Sequence, residues 1–215
     1  MKTLTIVSII ILLLFFAKNL FSVDAEKNYT LIKKLDKIEI RKYKSSIYAS
    51  FIPKNEKERN SSFRKVASFI FGDNTNNEKI SMTSPVVIKI HNDYEMAFIM
   101  PKKYNLENLP KPGNKEINIY TQPGTLKACI SYSGYTNKAV ENKKINELKN
   151  ILLKYNYNHK NDFEILVYNS PFEFTNRKNE IIVTINMDTK NNEKISTLKN
   201  IYLGGGCFWC TEAVF

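Results

Sequence analysis

The order of apolar patterns along the chain repeats, and this repetition narrows the fold more than any single motif. Ile38-Glu39-Ile40-Arg41 alternates apolar and polar side chains, and Ile47 to Phe51 does so more loosely. Phe63, Val66, Ala67 and Ile70 then fall at i, i+3, i+4 and i+7, the stripe of an amphipathic helix. Ser61 or Ser62 is expected to cap that helix, and Gly72 with Asp73-Asn74 to end it. Val86, Ile88 and Ile90 alternate with Val87, Lys89 and His91, and Tyr94 to Met100 is a further strand closed by Pro101. The second half keeps the same order. Lys115 to Gln122 reads as a strand, Pro123-Gly124 as a turn, and Leu126, Ala128, Ile130 and Tyr132 as an alternating strand. A helix follows with Ile145, Leu148, Leu152 and Tyr155 on one face, and Phe163 to Asn169 and Glu180 to Ile185 are two more strands. Two strand-strand-helix-strand-strand units predict an α+β domain: a distorted antiparallel β-barrel with two flanking helices.

Composition adds limits. A hydrophobic content of 43% supports one packed core, and the net charge of +11 is spread along the chain as on a solvated surface that attracts anions. There is no zinc-finger spacing and no arginine-rich arm, so nucleic acid is not an expected partner. Cys129 stands alone within the repeats, which predicts a small buried hydrophobe and no internal disulfide.

The ends differ from the middle. Lys2 precedes an apolar run from Leu4 to Ala17, and Val23-Asp24-Ala25 has the small residues of a cleavage site. Residues 1–25 are therefore expected to be a secretory signal peptide, shorter in apolar length than the about 20 residues a membrane span needs. An uncleaved anchor tethering the protein to a membrane is the alternative. Either way the expected location is outside the cytoplasm, periplasmic or secreted. Residues 188–200 are polar and read as a linker between the domain, 26–187, and a tail, 201–215.

Several motifs resemble the SOUL haem-binding proteins. They are Phe71-Gly72-Asp73-Asn74, Glu78-Lys79-Ile80-Ser81-Met82-Thr83-Ser84-Pro85-Val86 and Ile38-Glu39-Ile40-Arg41-Lys42-Tyr43. Phe98-Ile99-Met100-Pro101, Leu109-Pro110-Lys111-Pro112, Tyr168-Asn169-Ser170-Pro171-Phe172 and Arg177-Lys178-Asn179-Glu180 continue the likeness in the family's order. The resemblance implies a pseudo-twofold barrel that binds haem or a related tetrapyrrole in an apolar groove near the first helix. Phe63, Ala67, Ile70 and Met82 would then supply the apolar wall, and Arg64, Lys65 and Lys79 would meet the propionates. Where family members are proposed to carry an axial histidine, this chain has Lys42, so capture without a histidine ligand is expected; Met82 and Tyr43 are the remaining candidates. His91 and His159 are both expected to be solvent-exposed.

The tail, Gly206-Cys207-Phe208-Trp209-Cys210-Thr211-Glu212, resembles the active-site motif of methionine sulfoxide reductase A. The resemblance implies Cys207 as nucleophile, Phe208 and Trp209 around the substrate methyl, Glu212 as general acid and Cys210 as resolving thiol, with a thioredoxin-like reductant serving a full-length fusion. Five residues follow Cys210, so the expectation is an inactive start of a reductase domain. Three functions follow in order: an exported tetrapyrrole-binding domain, the front of a reductase fusion, and an effector-binding or interaction domain without haem.

Overall fold

The computed structural model describes residues 28–91, 94–170, 173 and 176–186. The expected signal peptide, the linker and the Cys207, Phe208, Trp209, Cys210 and Glu212 motif lie outside the described residues. The elements are β1 (Tyr29–Leu35), β2 (Ile38–Tyr43), β3 (Ser46–Phe51), α1 (Glu56–Ile70), β4 (Val86–Lys89), β5 (Glu95–Ile99), β6 (Asn118–Gln122), β7 (Leu126–Ser133), α2 (Lys138–Lys154), β8 (Asn158–His159), β9 (Glu164–Val167) and β10 (Lys178–Asn186). The strands form one antiparallel sheet in the order β1-β2-β7-β10-β9-β4-β5-β3-β6, with β8 added to β10. It curls into a half-barrel with two flanking helices, consistent with the distorted barrel expected.

The two halves meet where β4 pairs β9, with Val86 opposite Val167 and Ile88 opposite Ile165. Each half lends a strand to the other. β2 pairs β7 of the second half, Ile38 opposite Ile130, and β6 pairs β3 of the first, Ile119 opposite Ala49.

One sheet face carries both helices. Ile38, Ile40, Ala128, Ile130, Ile181 and Val183 pack against Leu148 and Leu152 of α2, while Ala49, Phe51 and Phe98 pack against Val66, Phe69 and Ile70 of α1. Burying a side chain of this size stabilises by about 1.5–3 kcal/mol. Strand alternation then sends Arg41, Lys127, Cys129, Glu164, Leu166, Glu180 and Ile182 to the other face, where they are buried too.

The helix ends correct one expectation. Asn55, not Ser61 or Ser62, caps α1: its side chain accepts from Glu58 N at 2.9 Å. Both serine hydroxyls instead donate to the Glu58 carbonyl at 3.0 Å, inside the helix. Asn137 caps α2 in the same way, accepting from Val140 N at 3.0 Å. After α1, Gly72 takes φ +117°, open to glycine and strained for other residues, which turns the chain as expected. Asn74 then pins the loop. Its amide donates to Phe69 O at 2.9 Å and Glu78 O at 2.8 Å, and its carbonyl accepts from Asn76 N and Glu78 N.

Candidate ligand-binding site

Among the described residues, three regions bring together groups that could meet a ligand. The first is the inner face of the curl. Arg41 and Glu180, 2% and 0% exposed, form a bidentate pair at 2.8 and 3.0 Å. Tyr168 donates to Glu180 at 2.6 Å, Ser131 at 3.0 Å, and Lys178 Nζ stands 3.1 Å away. Burial alone would raise the Glu180 carboxyl, but hydrogen bonds from Arg41 and Tyr168 outweigh it and hold the group down at about 2. Glu39 also engages Arg41 at 2.7 Å, and Tyr29 lies 4.2 Å beneath the guanidinium. A cleft of about 340 Å³ opens here. Its central charges are matched internally, so it reads as a structural brace. Lys127 and Glu164 repeat the device at 2.8 Å, both buried. Cys129 lies among these groups as the expected buried cysteine; burial, then Glu180, pushes its thiol well above the ordinary range.

The second region is the α1 face expected from the sequence. Phe63 is 40% exposed and its ring lies 5.2 Å from that of buried Phe98. Met82 is 46% exposed and precedes Thr83, whose hydroxyl donates to Ile99 O, one residue past Phe98. Phe71, 63% exposed, continues the row of Phe63 and Ala67 along the helix. Ala67 and Ile70 sit in the core beneath, so they support this face from below. Arg64 is exposed beside Phe63, and Lys79 is exposed on the loop to Met82. Lys65 is engaged: its ammonium lies 2.8 Å from Glu116 and 4.1 Å from the Phe51 ring centroid. Lys42 is exposed, and Tyr43 belongs to the inner network, accepting from Arg41 at 3.3 Å, with burial pushing its hydroxyl upward.

The third region is a cleft of about 650 Å³ beside α2, lined by Ile90, His91, Ile145, Lys149, Lys160 and Phe163 among others. Neither histidine is a free surface group as expected. His91 is half-buried, with Nδ1 3.3 Å from the Phe163 carbonyl. His159 is half-buried in β8, its Nδ1 accepting from Asn161 N at 3.1 Å and its ring 5.5 Å from that of Phe163. Burial, then the charge of Lys149, lowers its basicity. The sequence signal for this cleft was the match between helices: Ile145 stands eight residues after its capping Asn137, as Phe63 does after Asn55.

The curled sheet and its two helices define a domain of the α+β class, with an exposed apolar face on one helix and a cation-edged cleft beside the other. The chain belongs to the SOUL haem-binding protein family, whose model matches residues 25–184. The match stops short of the cysteine-bearing tail, and no curated protein sequence matches the chain. Among solved structures, an uncharacterized conserved protein from Listeria innocua superposes with a TM-score of 0.55 at 7% identity, over 70% of this chain and 92% of that one. A hydrolase encoded by lin2189 from Listeria innocua gives 0.53 at 6% identity, over 70% and 92%. The EcmrR C-terminal domain gives 0.52 at 13% identity, over 74% and 99%. At such identities the likeness is one of fold alone.

Proposed function

We propose that the domain binds haem or a related tetrapyrrole on the α1 face, holding it by apolar contact without a histidine ligand. The observation that carries this reading is the exposed Phe63 packed against buried Phe98 with tilted rings, and exposed Met82 beside Thr83, which donates to Ile99 O next to Phe98. Exposed aromatic and thioether surface at this density suits a flat apolar disc. Arg64 and Lys79, both exposed, would supply the cations that meet the propionates. When bound, the tetrapyrrole supplies its own colour and redox chemistry, while the chain supplies shape and charge. Family membership supports the ligand class.

Titration of the full-length chain with haemin tests it. Phe63→Asp removes apolar burial of about 1.5–3 kcal/mol, so affinity at this face falls roughly 10–100-fold while the fold, followed by circular dichroism, is retained. Unchanged affinity refutes the assignment.

The signal-like residues 1–25 direct this binding activity to the periplasm or exterior, or tether it to a membrane if uncleaved; N-terminal sequencing of the exported protein distinguishes the two. Among the described residues no helix is long and apolar enough to cross a membrane. A second reading rests on the Cys207–Glu212 motif: the domain would be the front part of a peptide-methionine sulfoxide reductase. Thioredoxin-dependent turnover of methionine sulfoxide that Cys207→Ser abolishes would favour it.

A further inference from the structure

We infer that the α2 cleft is a second tetrapyrrole site, distinct from the α1 face, in which His91 Nε2 is the axial base for iron. The inference rests on the ligand class proposed above but on different residues.

The ring nitrogens of His91 are fixed by what they face. Phe163 O has no proton to give, so Nδ1 must carry the hydrogen and donate across the 3.3 Å contact. In the neutral ring the lone pair is then on Nε2, which has no hydrogen-bond partner among the described residues. A histidine oriented by Nδ1–H to a backbone carbonyl, with Nε2 open to a cleft, is the arrangement that metal-ligating imidazoles use. His159 is set the opposite way. Its Nδ1 accepts a backbone N–H, so the neutral ring has its proton on Nε2 and no lone pair there. The two histidines are near Phe163, yet only one is prepared to ligate.

The surroundings fit the same ligand. Ile90, Ile145 and Phe163 give apolar walls and pack on one core cluster. Lys149 Nζ lies 5.0 Å from the Phe163 ring centroid, and Lys160 lines the same cleft, so two cations are available to a dicarboxylate. Asp162, the acidic residue lining it, is occupied in accepting from Thr184 N at 2.9 Å. A volume of about 650 Å³ falls within the about 300–1,000 Å³ of small-molecule sites. Pseudo-symmetry explains why such a place exists. Phe63 and Ile145 hold equivalent positions eight residues after their capping asparagines, and beside Ile145 the cleft also has a histidine.

The test is a haemin titration of the full-length chain carrying Cys207→Ser and Cys210→Ser, so that thiolates cannot ligate. The expected result is a histidine-ligated Soret band, with an iron–histidine stretch in the ferrous resonance Raman spectrum. His91→Ala should remove both and weaken haemin at this site at least tenfold, and added imidazole should restore the band. His159→Ala and Phe63→Asp should leave the band in place. Lys149→Glu, a helix-surface change, should weaken haemin there too, and metal-free protoporphyrin should bind equally well with or without His91. A ligated spectrum that survives His91→Ala, or haemin binding with no ligated component, overturns this inference and leaves the α1 reading standing. Failure to bind haemin at all overturns both.

Discussion

Replacing Arg41 by methionine should change both how stable the domain is and how stability responds to pH. Arg41 and Glu180 are both almost wholly excluded from solvent, and the pair is closed by two hydrogen bonds at 2.8 and 3.0 Å. Removing one partner strands a buried carboxylate, which costs about 3–5 kcal/mol. Titration leads to a similar figure. Holding the Glu180 carboxyl at about 2 rather than its ordinary 4.5 corresponds to about 3 kcal/mol. Because the folded value is depressed, this contribution is complete above about pH 4.5 and is lost as pH falls toward 2. In Arg41→Met burial still raises the Glu180 carboxyl while only Tyr168, Ser131 and half-exposed Lys178 at 3.1 Å oppose it, so the loss of stability as pH falls from about 4.5 toward 2 should shrink. Urea unfolding followed by far-UV circular dichroism from pH 7 to pH 3 reads both effects. Arg41→Met/Glu180→Leu, which removes both charges, should recover most of the loss. A single-variant loss under about 1 kcal/mol, or a double variant no better than the single, would show that the pair is not the closed, buried contact described.

Asn74→Ala should cost about 1–3 kcal/mol in the same assay, because the amide that ties Phe69 O and Glu78 O together is lost. Asn137→Ala should cost about 1 kcal/mol through the lost cap on Val140 N, and Asn137→Ser should restore most of it. Cys129 should resist iodoacetamide in the folded protein at pH 8 and react once urea unfolds it, read by mass on the tryptic peptide; labelling at the rate of a free thiol contradicts its burial.

Apolar periodicity revealed eight of the strands and both helices, since Ile38/Ile40, Val86/Ile88, Leu126/Ala128/Ile130 and the two helical stripes all pack in the two core clusters beneath the helices. It did not reveal β1, whose residues are mostly exposed and whose register slips between Leu31 and Lys33, or β8, which is two residues long. Nor did it find the first turn of α1, because Glu56 to Asn60 contains no large apolar group. The larger miss concerns charge. Ile38-Glu39-Ile40-Arg41 looks like a strand with one wet face, but the sheet curls until that face is enclosed as well, and Arg41 meets Glu180 across 139 residues of sequence. No local pattern reports a partner at that distance. The α1 residues were legible as a group, but their depths were not: Ala67 and Ile70 went to the core while Phe63 and Met82 stayed outside. His91 read as solvent-exposed because the Phe163 carbonyl beside its Nδ1 comes from a segment 72 residues further along the chain.

The exchange of β2 and β6 between halves bears on how the domain is made during synthesis. Neither half can complete its own share of the sheet, so a ribosome that has emitted only β1 to β5 presents a hydrogen-bonding edge on β3 that awaits β6, and a β2 with nothing to pair on its β7 side. Chains severed in the segment between β5 and β6 should therefore be insoluble apart, yet reassemble when both fragments are produced together, which makes this fold a natural basis for a split reporter.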